Sequence, residues 1–160
     1  MSITLKKVPW VTYNVINRIY KLRAQINTIS SKTVRINSIF MKILLVDDDA
    51  FLRDMYATKF TEQGDTVEVA KDANVALSVL ENASFDVVIM DMVMPGMSGI
   101  DLLKTIKKMP ATNKTKYIVL SNQGEDSDIQ AAQDAGADGY IIKAESIPSE
   151  VVSKVHNIVS

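Results

Sequence analysis

Seven polar side chains stand directly after short apolar runs, and their types could do chemistry together. Asp47, Asp48 and Asp49 follow KILLV, Asp91 follows FDVVIM, Ser121 and Asn122 follow YIVL, and Lys143 follows GYII. A solvated loop acid is commonplace on its own. Aspartates that end two neighbouring buried strands are different, because their carboxylates lie within a few ångströms of each other and their repulsion calls for a cation. Hard oxygen ligands with no His or Cys nearby point to Mg²⁺, which keeps several waters and shares its shell with phosphate oxygens. The small number of ligands favours magnesium over calcium.

These residues meet only if the runs before them are adjacent parallel strands. From Met41 onward, short apolar runs alternate with amphipathic stretches, the pattern of a parallel sheet covered on both faces by helices. Strands are predicted at residues 42–46, 66–70, 85–90, 117–120 and 139–142. Four of them are nearly continuous in Ile, Val, Leu and Met, as burial on both faces requires. The second alternates, with Thr66, Glu68 and Lys71 around Val67 and Val69, and reads as an edge strand.

Apolar residues at helical spacing mark the covering faces: Leu52, Met55, Tyr56 and Phe60; Ala73, Ala76, Leu77 and Leu80; Ile100, Leu103 and Ile106; Ile129, Ala132 and Ala135; Val151, Val155 and Ile158. Gly64 and Gly136 fall where helices should stop, and Pro148 suits the first turn of the last one. Connections of this length cross over right-handed, which predicts a doubly wound, flavodoxin-like α/β fold with five parallel strands in the order 2-1-3-4-5. In such folds the site lies at the carboxyl ends of the strands, where the polar residues above are found.

Composition sets further limits. Residues 1–40 contain seven Lys or Arg and no acid, whereas residues 41–160 contain eleven against nineteen acids, so charges of +7 and −8 hide behind a net −1. That break predicts a boundary near Met41. The first part reads as a flexible basic extension, or as sequence upstream of a translation start at Met41. A basic amphipathic helix resting on lipid or on an acidic partner, or an organellar targeting segment, are the alternatives. Asn14, Asn17 and Arg18 interrupt every apolar core that a secretory signal would need. The absence of cysteine excludes disulfides, thiolate metal sites and cysteine nucleophiles. No window approaches the ~18 to 20 apolar residues of a membrane span, so a soluble, cytoplasmic protein is expected. The acidic balance of residues 41–160 speaks against direct DNA binding.

Four blocks together carry a family resemblance: ILLVDDD at 43–49, DVVIMDMVMPGMSG at 86–99, VLSNQ at 119–123 and GADGYIIK at 136–143. In this order and spacing, residues 41–160 resemble the receiver domain of bacterial two-component response regulators, of the stand-alone, chemotaxis-regulator-like type. The resemblance implies that Asp91 accepts a phosphoryl group from a histidine kinase or phosphotransfer protein. It also implies that Asp48 touches Mg²⁺ directly, that Asp47 acts through water, and that the Val93 main-chain carbonyl is a further ligand. Lys143 and Ser121 would contact the phosphoryl oxygens, and Tyr140 would turn inward as Ser121 moves. The expected output is a partner protein, reached by a monomer or a phosphorylation-dependent dimer. Where the family usually has proline after the lysine, this chain has Ala144. A cis bond without proline costs ~3 to 4 kcal/mol, which predicts a trans, differently aimed loop.

Plainer readings stand beside these. Asp49 is expected to be a helix cap rather than a ligand. Gly96 and Gly99 after Pro95 are turn and helix-start punctuation. His156, the sole histidine, is expected to be a surface or packing residue and not a phospho-carrier. Two other functions compete with the phosphoacceptor. One is a pseudo-receiver that only binds proteins. The other is a haloacid-dehalogenase-type phosphatase, suggested by the spacing of Asp47 and Asp49 but lacking that family's cap insertion.

Overall fold

The computed structural model describes residues 40–109 and 114–160. The extension of residues 1–39, with the alternatives considered for it, lies outside them. The described residues form β1 (Lys42–Val46), α1 (Ala50–Glu62), β2 (Thr66–Ala70), α2 (Ala73–Leu80), β3 (Val87–Met90), α3 (Gly99–Ile106), β4 (Lys116–Ser121), α4 (Asp126–Asp134), β5 (Gly139–Ile142) and α5 (Pro148–Val159), with a 3-10 turn at Lys143–Glu145. The strands make one parallel sheet in the order β2-β1-β3-β4-β5. This is the doubly wound fold that the alternation of runs predicts, with β2 at an edge.

Side-chain alternation along the strands divides the core in two. Leu44, Val46, Val88, Met90, Tyr117 and Val119 face α2, α3 and α4. Ile43, Leu45, Val87, Ile89, Ile118 and Leu120 face α1 and α5, meeting Tyr56, Phe60, Val151 and Val155. Every residue of β3 is fully buried, which is why its sequence shows no polar alternation.

Helix boundaries follow local chemistry. Asp49, Asp72 and Ser98 cap α1, α2 and α3 by accepting the amides of Leu52, Val75 and Asp101. Gly64 and Gly136 take φ of +97° and +90° where α1 and α4 have ended. Pro148 opens α5, and the Glu150 carboxylate accepts the Ile147 amide at 3.2 Å.

Three details differ from expectation. β3 begins at Val87 rather than Phe85; just before it the Asp86 carboxylate accepts the Lys42 amide at 2.7 Å, and the Phe85 ring lies under the Lys42 ammonium, 4.5 Å from the centroid. β4 extends to Ser121, which pairs in register with Ile142. Of the face predicted for α4, only Ala132 is buried, since a helix beside the edge strand β5 has less sheet to cover. No helix among the described residues is long and apolar enough to cross a membrane.

Candidate functional site

β1 and β3 are neighbours with Val46 opposite Met90, so the residues that follow them leave the sheet side by side. The sheet still holds both: the Asp47 amide donates to the Ala70 carbonyl at 3.2 Å and the Asp91 amide to the Val46 carbonyl at 2.9 Å. Asp47, Asp48 and Asp91 therefore bring carboxylate oxygens within 4.8 Å of one another. Gly99 keeps this corner tight, because a Cβ there would collide with the Asp91 carbonyl oxygen.

Lys143 reaches in from the end of β5. Its Nζ lies 2.8 Å from Asp47 Oδ2 and 2.8 Å from Asp91 Oδ2, with its side chain 5% exposed. Burial works against the ammonium, but the hydrogen bonds to Asp47 and Asp91 outweigh it and raise the lysine's pKa above its ordinary value. The peptide to Ala144 is trans, as are all described peptide bonds, and this loop delivers the amine to both carboxylates.

Around this centre the other sequence-selected residues take distinct places. Ser121, 1% exposed at the end of β4, accepts the Gln123 amide at 3.2 Å. The half-buried Tyr140 places its hydroxyl 2.9 Å from the Gln123 carbonyl oxygen and 3.4 Å from Met92 Sδ. Burial raises the pKa of that hydroxyl, against a hydrogen bond with Ser121. Val93 is exposed, and its amide donates to Asp91 Oδ1 at 3.3 Å. Asp49 donates its amide to Asp47 Oδ1 at 2.9 Å while its own carboxylate caps α1. Asn122 is exposed. His156 is not near: its Nε2 lies 2.8 Å from Asp65 Oδ2, a pairing at the amino end of the sheet.

Two residues escaped the sequence reading. Arg53 reaches back from α1 to the Asp47 carbonyl oxygen at 2.7 Å. Tyr56, selected only as core, is buried beside the cluster; burial raises its pKa, opposed by Lys143 and aided by Asp47 and Asp91. The available signal was helical spacing, since positions one and two turns beyond the cap Asp49 lean back over the strand end.

The cluster fits a small divalent cation. All its donors are hard oxygens, and three carboxylates against one ammonium leave a formal charge of −2. The Asp48 carboxylate is exposed and, among the described residues, accepts no protein hydrogen bond.

Comparison with known proteins agrees with this geometry. The family model for the response regulator receiver domain matches residues 43–156. Chemotaxis protein CheY-3 of Vibrio cholerae is 36% identical over 104 residues, covering 64% of this chain and 80% of that protein. The transcriptional regulatory protein ResD of Bacillus subtilis is 32% identical over 114 residues, 71% of this chain. The match spans 46% of ResD, 45% of the response regulator PhoP of Pseudomonas aeruginosa and 14% of a gliding motility regulatory protein of Myxococcus xanthus. Among solved structures, chemotaxis protein CheY4 of Vibrio cholerae superposes with a TM-score of 0.69 at 28% identity, over 73% of this chain and 97% of that one. Receiver domains are phosphoacceptor signalling modules that bind Mg²⁺ at such an acidic cluster and work with kinases and downstream targets. With its sheet order, its acid trio and the family match over residues 43–156, this chain belongs to the response regulator receiver domain family.

Proposed function

We propose that Asp91 is the phosphoacceptor of a two-component phosphorelay, charged by a histidine kinase or phosphotransfer protein and read by a downstream protein in the cytoplasm. One observation carries this reading: a single ammonium, Lys143 Nζ, lies 2.8 Å from both Asp91 and Asp47 inside a trio of carboxylates. That arrangement opposes charges of both signs around a reactive acid.

In the transfer, an Asp91 carboxylate oxygen forms a bond to phosphorus as the phosphorus–nitrogen bond of the donor histidine breaks. The leaving imidazole keeps the bonding pair and takes up a proton. The product is an acyl phosphate. Charge spreads over the transferring oxygens in a loose transition state, so positioning and neutralisation supply most of the catalysis. Lys143 offers one positive charge. Asp47, Asp48, Asp91 and the Val93 carbonyl would hold Mg²⁺, which supplies the remaining positive charge when bound.

The switch follows from the added charge, roughly −1.5 to −2 with several acceptor oxygens. Ser121 would turn its hydroxyl to a phosphoryl oxygen, releasing its loop from the Gln123 amide, and Tyr140 would follow into the space. Moving such an equilibrium from 1:99 to 99:1 takes ~5.5 kcal/mol of differential stabilisation, within reach of a few charge-assisted contacts.

Intact-mass measurement with acetyl phosphate and Mg²⁺ tests this reading. The native chain should gain one phosphoryl unit, and Asp91→Asn none. No gain in the native chain would leave a protein-binding pseudo-receiver.

A further inference from the structure

Asp47 is held at every polar atom by a different part of the chain. Its amide donates to Ala70, its Oδ1 accepts the Asp49 amide, its Oδ2 accepts Lys143, and its carbonyl oxygen accepts Arg53 Nη1 at 2.7 Å. The last comes from a charged side chain that the phosphoacceptor scheme does not use. Arg53 stands in α1, one turn beyond the cap Asp49, and is half-buried there.

Its choice of partner is informative. Three carboxylates lie close by, yet among the described residues Arg53 forms no ion pair and gives its hydrogen bond to a neutral carbonyl. That carbonyl belongs to the peptide joining Asp47 to Asp48. A peptide is planar, so holding its oxygen restrains the plane that carries the Asp48 nitrogen and Cα, the base from which the Asp48 side chain departs. The Asp48 carboxylate is exposed and accepts no protein hydrogen bond among the described residues. Its position therefore depends on its backbone and its own rotamer, and Arg53 restrains the peptide that leads into it.

We infer that Arg53 is a positioning residue for the metal: through the Asp47 carbonyl it aims the Asp48 carboxylate at the point shared with Asp47 and Asp91. The inference rests on the reading above that this trio holds Mg²⁺. A cation near a divalent ion also repels it, so removing Arg53 has two opposed consequences. Solvent screens the charge at the rim of the cluster, whereas the charge-assisted bond is short and directional. Positioning therefore dominates, and loss of Arg53 weakens binding.

The test is the Mg²⁺ dissociation constant of the full chain by titration calorimetry, with Mn²⁺ binding by electron paramagnetic resonance as a second measure. Arg53→Ala should raise the Mg²⁺ constant about tenfold, equivalent to ~1.4 kcal/mol, and Arg53→Lys should return it to within about threefold of native. Alanine is a strong helix former, so the metal-free melting temperatures of the three proteins should stay close, which separates aiming from general support of the fold. If Arg53→Ala binds Mg²⁺ as well as native or more tightly, the inference is overturned while the phosphoacceptor reading survives. If the native chain binds no Mg²⁺, both fall.

Discussion

Aspartates gather at both ends of the sheet, under opposite circumstances. At the amino end Asp65, Asp86 and Asp138 each precede a strand, and each accepts a backbone amide from a neighbouring one. Their partners are Met41 at 3.0 Å, Lys42 at 2.7 Å and Tyr117 at 2.9 Å. Two of these acids also meet a basic side chain, Asp65 with the His156 ring and Asp138 with Lys116. Each is satisfied separately. At the carboxyl end Asp47, Asp48 and Asp91 converge on each other, and one ammonium bridges two of them. An acid that completes a strand's hydrogen bonding is architecture, whereas acids gathered beyond what the backbone can satisfy form a cluster suited to a cation.

Substitutions at the two ends should separate these roles. The largest contrast is between two lysines. Lys143→Met should slow phosphoryl uptake from acetyl phosphate by about 100-fold and lower stability by about 3 kcal/mol, because the buried Asp47 carboxylate loses its counter-charge. Lys116→Met, at an exposed pair, should leave uptake unchanged and shift stability by no more than about 0.5 kcal/mol. Equal effects at the two positions would erase the distinction drawn between the ends.

Asp65→Ala should do the reverse. It strands the Met41 amide and the His156 ring, costing about 2 kcal/mol in chemical denaturation, with phosphoryl uptake unaltered at temperatures where the protein is folded. A smaller effect is expected at Val93, exposed and apolar beside Asp91, the proposed acceptor, with no polar group to orient an attacking water. The aspartyl phosphate should hydrolyse slowly, and Val93→Asn should hasten its decay about tenfold. A native half-life of only seconds would refute this.

The smallest expected effect is that of pH. Hydrogen bonds to Asp47 and Asp91 overcome burial and hold the Lys143 pKa above its ordinary value. A raised lysine contributes stability that is complete below the unfolded value of about 10.4 and is lost as pH rises through the higher folded value. The difference in melting temperature between native and Lys143→Met should accordingly stay constant from about pH 7 to about pH 9. A difference that shrinks across that window would mean the ammonium is not held as described.

Much of this was legible in the chain. Four nearly continuous apolar runs and one alternating edge run, with helical stripes between them, determined the doubly wound sheet, because strands buried on both faces lack polar alternation. Placing Asp47, Asp48, Asp91, Ser121 and Lys143 after those runs determined that they share one end. Helical spacing could place Arg53 over the strand end but not name its partner, since a main-chain carbonyl leaves no trace in residue types. Nor did the sequence show that Asp65, Asp86 and Asp138, which precede strands, accept backbone amides there.

Those distinctions needed the packed sheet. Strand order and register decide which termini stand side by side and which amides remain for a carboxylate to accept, and both are properties of pairing between distant segments. The identities and order of the reactive groups are written locally. Their separations and the sharing of Lys143 between Asp47 and Asp91 exist only once β1, β3 and β5 have packed together, because each joins elements that the chain itself keeps apart, whereas the hold of Arg53 on the Asp47 carbonyl forms across the short turn from β1 into α1.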